Sequence, residues 1–545
     1  MTRLVLNILA ALTLLFILSR CAQMGELTGG KKDTTPPRLL KAIPEKGSTG
    51  FNSDKIVLVF DEFVQIKDLS NQLIVSPKLK TTPDIAANGK TVVIELEKGE
   101  LAPNTTYRLY LGNAIADMNE SNSIKNFEYV FSTGTHIDSL KIKGTVTDAF
   151  NGKPAGKVVV GLYKASQAND STIYKEAPDY LARTGDDGSY AFSNLPYGSF
   201  KMYALADGNK NNMYDGEAEK VGFRDSVLNL RSDTSISLKV FQEESVKSFI
   251  KKTLLPYYGF GQIILNKKAK VRLSPLNPEL APSIIETRKG REKDTIAFFY
   301  RELKDTVQME VDNISFKKRD TVRLVIPKNN LAKRRLKAIS TNIQSGVLPL
   351  GGVLRFTFQN WMDTTKAGMS KIRLSEKKDS LYVPVPVKGR WTSITEFELD
   401  NRLPDGNFRL KIDTMAFFDI YGFKNDSLKS DFKTQSKTEF GKVTLKLLLN
   451  KKQSYVIQLI DGSDKVAQEK YISLPLAGSN AVSLEFTDVV PGTYMVKIIF
   501  DDNENKKWDS GNILAKKQAE RVIINSKQIK VLSDWEIEEE ITVKE

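Results

Sequence analysis

Short runs of alternating apolar and polar residues recur along the chain from residue 37 onward. In 91–97 (TVVIELE), Val92, Ile94 and Leu96 recur at every second position, which is the period of a strand with one buried face, and 55–60 (KIVLVF) is a short apolar run of strand length. Gly, Pro, Asn and Asp separate the runs and mark turns. No segment after residue 20 shows a sustained apolar stripe at helical spacing. The pattern therefore predicts an all-β protein.

The spacing of these runs divides the chain into several β-sandwiches. A length of 545 residues is too great for one hydrophobic core, and the runs group into blocks of about a hundred residues. We predict a segment 1–20 that precedes a flexible, Gly-, Thr- and Lys-rich tether over 21–36, and then β domains over 37–134, 138–240, 245–332, 335–436 and 440–545.

Two acidic loops carry the strongest internal repeat. The strand runs 200–206 and 494–500 each lead into a loop with oxygen-bearing side chains at positions 1, 3, 5 and 9. These side chains are Asp207, Asn209, Asn211 and Asp215 in the first loop and Asp501, Asn503, Asn505 and Asp509 in the second. Residues 336–339 have the same sequence as residues 40–43 (LKAI), and the pattern of the first domain begins again after them. We therefore predict the order A–B–C–A′–B′, in which two types of sandwich, A and B, are each repeated.

The acidic loops predict a calcium site, because offsets 1, 3, 5 and 9 place oxygen ligands around one point, as in the first part of an EF-hand loop. Position 6 is Asn212 or Lys506 instead of Gly, and position 12 is Ala218 or Asn512 instead of Glu. The alternative is an Asx-rich turn whose side chains accept backbone amides without metal. No cofactor is required by this interpretation, and calcium is the one that the residues suggest.

Composition narrows the classes of function. The net charge is +14, but 80 Lys and Arg residues are spread among 66 Asp and Glu residues and form no basic stripe, so nucleic acid is not an expected partner. The chain has one Cys and one His. This excludes disulfides, Cys/His zinc sites and most Ser-His or Cys-His catalysis, since each needs a partner that is absent.

The single cysteine is explained by its position. A short positive start and an apolar run from Leu4 to Leu18, too short to span a bilayer comfortably, lead to Cys21. The segment 18–21 (LSRC) resembles a bacterial lipobox, which implies that residues 1–20 are a signal peptide and that Cys21 is diacylated. Two acyl chains would anchor the chain to a membrane. The alternative is a plain signal anchor that ends at Cys21 by chance.

Several motifs resemble known bacterial domains. The tether and its KDTTPP ending resemble the start of predicted Bacteroidota lipoproteins that carry an N-terminal Ig-like domain. The motifs 58–64 (LVFDEFV), 101–107 (LAPNTTY) and 131–133 (FST) resemble the SbsA-type Ig-like domain over 37–134. Residues 140–165 and 183–205 resemble the prealbumin-like, or carboxypeptidase-regulatory-like, β-sandwich. That resemblance implies a spacer or stalk and carries no activity with it.

Catalysis would have to rest on a few isolated groups. His136 lies between the first two domains and has no recognisable Ser or Cys elbow, so it is interpreted as a linker residue. Asp61 and Glu62 could be a paired acid and base, but the repeat replaces them with Gln359 and Asn360. We therefore predict that the protein is not an enzyme. The alternative is a carboxylate-dependent hydrolase in the domain over 245–332.

A glycan-binding role would use aromatic faces. The four tryptophans, Trp361, Trp391, Trp508 and Trp535, are dispersed over the second half, and the default interpretation is a core or strand-edge role for each. Several of these side chains in one groove would favour glycan binding.

O-glycosylation is a further expectation. The triplet Asp-Ser/Thr followed by Ala, Leu, Ile, Val, Met or Thr resembles the acceptor used in the Bacteroidota envelope. Average composition predicts about two such triplets, whereas the sequence contains it at Thr34, Ser139, Ser171, Ser226, Thr295, Thr306, Thr321, Thr364, Ser380, Thr414 and Ser427. The alternative is that Asp-Ser/Thr turns simply precede strands in β-rich chains.

The sequence thus predicts a lipid-anchored outer-membrane lipoprotein with a structural or binding role, whose partner is an unidentified envelope protein or glycan. The alternative is a glycan-binding accessory lipoprotein of a polysaccharide system. The leaflet stays open, because Ala22 lacks the acid that retains lipoproteins at the inner membrane and only Glu26 offers a surface-export signal.

Overall fold

Strands make up most of the ordered structure, as the alternating pattern predicts. The computed structural model describes residues 33–543 except 246, 287–292, 304, 329–335, 337–338, 450–452 and 474–480. The predicted signal peptide, Cys21 and most of the predicted tether lie outside the described residues. The predicted all-β fold of tandem sandwiches is confirmed. No helix among the described residues is long and apolar enough to cross a membrane.

The chain divides into two compact units. The first comprises Met1–Val146, Ala155–Tyr214 and Phe223–Leu238, and the second comprises Thr147–Pro154, Asp215–Gly222 and Lys239–Glu545. The division passes through the second predicted domain, so residues 147–154, 215–222 and 239–240 of that domain belong to the second unit.

The first sandwich illustrates how the alternation sets the core. Its strands are β1 (Leu39–Ile43), β2 (Lys55–Phe60), β3 (Val64–Ile66), β4 (Ile74–Ser76), β5 (Asp84–Asn88), β6 (Thr91–Glu95), β7 (Thr106–Gly112), β8 (Ile115–Asp117) and β9 (Phe127–Ser132), with one short helix, α1 (Leu69–Gln72). The sheets have the orders β1-β2-β6-β5, β4-β7-β9 and β3-β8. Ile56, Leu58 and Phe60 on β2 are almost completely buried, because every second side chain of a strand points to the same face.

The second sandwich uses longer strands. They are β10 (Leu140–Asp148), β11 (Val159–Lys164), β12 (Tyr180–Arg183), β13 (Ser189–Leu195), β14 (Gly198–Leu205), β15 (Lys220–Phe223), β16 (Leu228–Leu230), β17 (Thr234–Ser235) and β18 (Leu238–Gln242), with a 3₁₀ turn at Thr172–Tyr174. β10 pairs antiparallel with β13 and parallel with β17, while β11 pairs with β12 and β14. β14 also pairs with β16.

The third domain has two sheets. Its strands are β19 (Ile250–Tyr257), β20 (Phe260–Ala269), β21 (Val271–Pro275), β22 (Ile284–Glu286), β23 (Lys293–Tyr300), β24 (Thr306–Asn313) and β25 (Lys318–Val325), with a 3₁₀ helix at Pro278–Ser283. The sheet orders are β19-β20-β23-β22 and β21-β24-β25. Ile263, Phe298 and Met309 form the centre of the core between them.

The fourth domain has the same strand order as the first. Its strands are β26 (Ser340–Thr341), β27 (Val347–Leu348), β28 (Val353–Thr357), β29 (Ile372–Lys378), β30 (Leu381–Val385), β31 (Gly389–Ser393), β32 (Glu396–Arg402), β33 (Asn407–Ile412) and β34 (Leu428–Thr434), with 3₁₀ turns at Met369–Lys371 and Lys437–Glu439. The order β26-β28-β32-β31 matches β1-β2-β6-β5, and the second sheet has the order β27-β34-β33-β29-β30.

The fifth domain repeats the pairing of the second. Its strands are β35 (Gly441–Leu449), β36 (Ser454–Asp461), β37 (Val466–Ile472), β38 (Ala481–Val489), β39 (Gly492–Asp501), β40 (Val522–Val531) and β41 (Glu536–Val543). β35 pairs antiparallel with β38 and parallel with β41, as β10 pairs with β13 and β17. The other sheet has the order β37-β36-β39-β40.

The central strands of the fifth domain are buried on both faces. Tyr455 and Ile457 face the core, and Val456 on the opposite face is also buried. On that outer face, Lys497 is 3% exposed and its ammonium lies over the ring of Phe150, from the 147–154 segment of the same unit. Burial lowers the pKa of Lys497 to about 8.

Candidate functional site

The first acidic loop begins where β14 ends. The carboxylate of Asp207 accepts hydrogen bonds from the backbone amides of Lys210 (2.7 Å) and Asn212 (2.8 Å). Asn209 Oδ1 accepts the amide of Asn211 (3.1 Å) in the same way. Lys210 and Asn212 have left-handed backbone conformations, with φ of 66° and 57°. The loop therefore turns twice around the Asp207 carboxylate.

The second acidic loop has the same backbone path. Asp501 is 1% exposed, and its carboxylate accepts the amides of Asn505 (3.1 Å) and Lys506 (2.8 Å). Left-handed conformations recur at Glu504 (φ 62°) and Lys506 (φ 67°). These positions have the same offsets from Asp501 as Lys210 and Asn212 have from Asp207. The side-chain amides of Asn503 and Asn505 both donate through Nδ2 to the Asp509 carboxylate. This brings three of the predicted residues together.

A buried glutamate outside the predicted ligand set supports each loop. Glu219 accepts the amide of Asp215 (3.1 Å), and Glu520 accepts the amides of Asp509 (2.9 Å) and Asp502 (3.0 Å). Glu219 is 8% exposed and Glu520 is 3% exposed. Burial, with the charges of Asp509 and Asp501, raises the pKa of Glu520.

The spacing of residues in the sequence does not predict the role of these two glutamates. Glu219 follows the ninth loop residue by four positions, whereas Glu520 follows its own by eleven. A fixed-offset motif therefore could not find both, and the shared signal is only a Glu downstream of each loop.

The calcium hypothesis stays a prediction. Within the described residues, no group of three or more His, Cys, Asp or Glu side chains is arranged to hold a metal ion. The carboxylates of Asp207 and Asp501 accept backbone amides, which is what the Asx-rich turn alternative requires. Asp501, Asp509 and Glu520 all accept hydrogen bonds within the second loop, so a test for calcium concerns this loop first.

The residues weighed for catalysis have structural partners. His136 is exposed, and its Nε2 lies 3.7 Å from Asp138 Oδ1. Asp61 accepts the backbone amide (2.8 Å) and the guanidinium (2.9 Å) of Arg38, and these hydrogen bonds lower its pKa. Partial burial and the neighbouring charge of Asp117 raise the pKa of Glu62. The pKa values of the two neighbouring carboxyl groups are thus shifted in opposite directions, because Arg38 binds Asp61.

The corresponding strand end in the fourth domain carries a neutral partner. Asn360 donates to Asp419 (2.6 Å), and both side chains are buried. Asp419 also accepts the amides of Tyr421 and Phe423, just as Asp117 accepts those of residues 120–122. An acid that organises a loop is therefore common to both domains, and this favours a structural role for the strand end.

The four tryptophans occupy different environments. Trp391 packs in the core of the fourth domain, with its ring 5.2 Å from Phe397 and 5.7 Å from Phe417. Trp508 packs on Phe150 and donates to the carbonyl of Glu520. Trp361 lies beneath the guanidinium of Arg301, 5.8 Å away, whereas Trp535 is 60% exposed.

The predicted glycosylation residues all lie at or near the surface. Ser171 and Thr295 are half-buried. The exposed ones are Thr34, Ser139, Ser226, Thr306, Thr321, Thr364, Ser380, Thr414 and Ser427. Ser139, Thr306, Ser380 and Ser427 directly precede or begin a strand, as the strand-start alternative requires, whereas no strand follows Thr34, Ser171, Thr364 or Thr414.

Comparison with known proteins supports the Ig-like interpretation of the first domain. Residues 33–133 match a family model described as "Bacterial Ig-like domain". The first sandwich is similar to that family. The match supports the prediction of an Ig-like domain, while its bounds, the SbsA type and the lipoprotein type stay predictions. No curated protein matches the chain.

The solved structures that match the chain are distant from it. The S-layer protein rSbsC is 10% identical, with 91% of this chain and 67% of that chain covered and a TM-score of 0.15. BcpA, the major pilin subunit of Bacillus cereus, is 11% identical, with 74% and 99% covered and a TM-score of 0.14. Eight Ig domains of the Down Syndrome Cell Adhesion Molecule are 7% identical, with 93% and 61% covered and a TM-score of 0.14. These likenesses carry no conclusion about function.

Proposed function

We propose that this chain is a lipid-anchored protein of the bacterial cell envelope whose Ig-like and prealbumin-like sandwiches have a structural or binding role. The observation that carries the proposal is the match of residues 33–133 to the bacterial Ig-like family, behind an apolar segment that ends at the single cysteine, Cys21. Outer-membrane placement is part of the proposal.

Contacts between neighbouring domains support a scaffold of fixed geometry within each unit. In the first unit, Asp138 of the linker donates its amide to Thr106 Oγ1 (2.8 Å), and its carbonyl accepts from Asn194 (3.0 Å). In the second unit, Tyr421 of the fourth domain donates to the carbonyl of Tyr300 in the third (2.6 Å). Such contacts resist bending, which suits a protein that presents a surface at a distance from the membrane.

Membrane fractionation tests the anchor. We expect wild-type protein to pellet with membranes and to resist a carbonate wash, and we expect Cys21→Ala to move into the soluble fraction. Thr35→Ala, which changes a residue near the end of the tether, is the matched control and should stay with the membrane. A Cys21→Ala protein that still resists carbonate would show that lipidation is not the anchor. Protease treatment of intact cells then distinguishes the two leaflets.

The hydrolase alternative has no support from the ion pairs of the third domain. Asp312 lies 3.7 Å from Arg319, and Asp320 lies 2.9 Å from Lys318, so both carboxylates face cations. The glycan-binding alternative is favoured by a different feature, a basic sheet face in the fourth domain.

A further inference from the structure

One face of the five-stranded sheet in the fourth domain is exposed and strongly basic. Phe408, Leu410 and Ile412 of β33 point into the core, so the alternate residues of this strand and its neighbours point outward. The outward-facing cations are Arg373, Lys377, Arg409, Lys411, Lys429 and Lys433. Asp431 is the acid in this set of outward positions.

The strand register places like charges side by side. Lys429 is paired with Lys411, and Lys411 is paired with Arg373, so three cations form a row across three strands. Neighbouring strands lie about 4.8 Å apart. Like charges in directly opposite positions destabilise a sheet. Asp413 and Asp431 offset part of this repulsion within the chain, and an anionic ligand would remove the rest.

Half of these cations are already neutralised within the chain. Arg373 binds Asp413 through both carboxylate oxygens (2.6 and 2.7 Å), and Lys433 pairs with Glu439 (3.1 Å). Arg409 binds Asp431 (2.6 Å). Among the described residues, Lys377, Lys411 and Lys429 are exposed and form no ion pair within 4 Å, although the charges of Lys411 and Lys429 act on Asp431 and help to lower its pKa. These three lysines are the part of the face that is available to a ligand.

An aromatic ring borders the free lysines. Tyr382 is the cross-strand neighbour of Lys377, and the guanidinium of Arg409 stacks 3.9 Å from the centre of its ring. Leu381 is 72% exposed beside it. A flat surface that combines cations with an aromatic face suits a sugar that carries a charge, because the ring contacts the apolar side of the sugar.

The edge strand is poorly suited to a protein partner that extends the sheet. β30 contains Pro384, and Pro386 follows it. Proline has no backbone N–H to offer to a further strand. A protein partner of this face would therefore have to dock through side chains alone.

A second copy of the chain is a poor partner for this basic face, because its acidic side chains are largely paired already. The most acidic strand, β41, carries Glu536 and Glu538 beside Lys442 and Lys446 of β35. Lys442 lies 3.8 Å from Glu536, and Lys446 also pairs with Glu538. The acids of this surface are thus largely neutralised within their own sheet.

We infer that this lysine-bearing sheet face binds an acidic polysaccharide, a polymer with a carboxylate on its repeating sugars. The inference rests on the proposed location in the envelope, where such polymers are encountered. Lys377, Lys411 and Lys429 contact the carboxylates, and Tyr382 contacts the sugar ring.

Affinity electrophoresis of the full chain in detergent tests the inference, with polygalacturonate as the acidic probe and dextran as the neutral one. We expect polygalacturonate to retard the wild-type protein, added salt to weaken the effect, and dextran to have none. Lys377→Gln/Lys411→Gln/Lys429→Gln should lose about tenfold or more in affinity. Its melting temperature should equal or exceed that of wild type, because the like-charge row is removed.

The matched control changes the same charge elsewhere. Lys46→Gln/Lys125→Gln/Lys141→Gln alters three exposed lysines of the first unit and should retain the wild-type affinity. An equal loss in both variants would assign binding to net charge and overturn the inference. Equal retardation by duplex DNA would overturn it as well.

Two further outcomes are decisive. Self-association that the sheet-face variant abolishes, without polygalacturonate binding, would assign the face to a second copy and overturn the inference. Failure to bind leaves the fractionation of Cys21→Ala unaffected, so the failure of this inference is distinguishable from failure of the proposed anchor.

Discussion

The first and fourth sandwiches share a strand order but use the same sheet face in opposite ways. In the first, the outer face of β4, β7 and β9 is covered, and Ile74 and Val130 are less than a tenth exposed. In the fourth, the corresponding face of β29, β33 and β34 is exposed and carries the row of cations Lys429, Lys411 and Arg373. The fold alone therefore does not determine what a sheet face does.

The substitutions between the two copies follow this difference. Arg108 and Arg409 occupy matching strand positions. Two residues later, Tyr110 faces Glu128 in the first copy, whereas Lys411 faces Lys429 in the fourth. Arg108 pairs with Glu128 at 2.7 Å. In the fourth copy Arg409 pairs with Asp431 instead (2.6 Å), which leaves Lys411 opposite Lys429 with no ion pair within 4 Å.

The cover of the first copy comes from its neighbour in the first unit. The amide of Lys78 donates to the carbonyl of Asp179 (2.8 Å), and the amide of Leu181 lies 3.5 Å from Ser76 Oγ. These contacts place β12 beside β4. A charged side chain on that face would lose its water, which is costly unless the charge is paired.

A reciprocal exchange has the largest expected effect. Ile74 faces Tyr110, and Arg373 faces Lys411, so the two residues are equivalent in register. We expect Ile74→Arg to lower the free energy of unfolding by about 3–5 kcal/mol, since it buries a charge without a partner. Arg373→Ile should change it by less than about 1 kcal/mol, because the Arg373–Asp413 pair is exposed.

Scanning calorimetry of both variants measures this contrast. Similar losses in the two variants would show that the first sheet face is not protected from water in solution.

Calcium is expected to have the next largest effect, on the acidic loops that follow β14 and β39. We expect millimolar calcium to raise the melting temperature relative to a chelator, since a ligand at a hundred times its Kd stabilises by about 2.7 kcal/mol. Glu520→Gln should reduce the shift. Glu540→Gln, on exposed β41, should leave it unchanged. Identical melting in calcium and chelator would favour the Asx-turn alternative.

A smaller change converts the fourth sandwich toward the first. Lys429→Glu places an acid opposite Lys411, as Glu128 stands opposite Tyr110. Replacing a like-charge pair with an opposite-charge pair should stabilise the protein by about 0.5 kcal/mol. The same variant should bind polygalacturonate more weakly. Denaturant unfolding measures the first effect, and an unchanged or lower stability would show that the row carries no repulsion.

Glycosylation should leave stability almost unchanged but should differ between the two copies. The fourth sandwich carries the triplets at Thr364, Ser380, Thr414 and Ser427, whereas residues 37–134 contain none. We expect intact-mass spectrometry of protein from its native host to show hexose additions, and peptide mapping to place several of them on the fourth sandwich. A mass equal to that of the lipidated polypeptide would contradict the prediction.

Local patterns in the sequence were sufficient for the strands and the loops. The runs 55–60 and 91–97 predicted β2 and β6, because the period of two is a property of each strand by itself. The offsets from Asp207 and Asp501 likewise predicted two loops with one backbone path. These features depend on residues that are close together in the chain.

Only the tertiary structure decided which surfaces are covered and which side chains complete the loops. Lys153 pairs with Asp464, more than three hundred positions away, and Lys497 is buried by Phe150. Glu520 lies eleven positions beyond Asp509, the last residue of its loop motif. Such contacts depend on how sandwiches meet, and no periodicity records that. The alternation shows which side chains share a face, but the neighbouring domain decides whether that face meets protein or water.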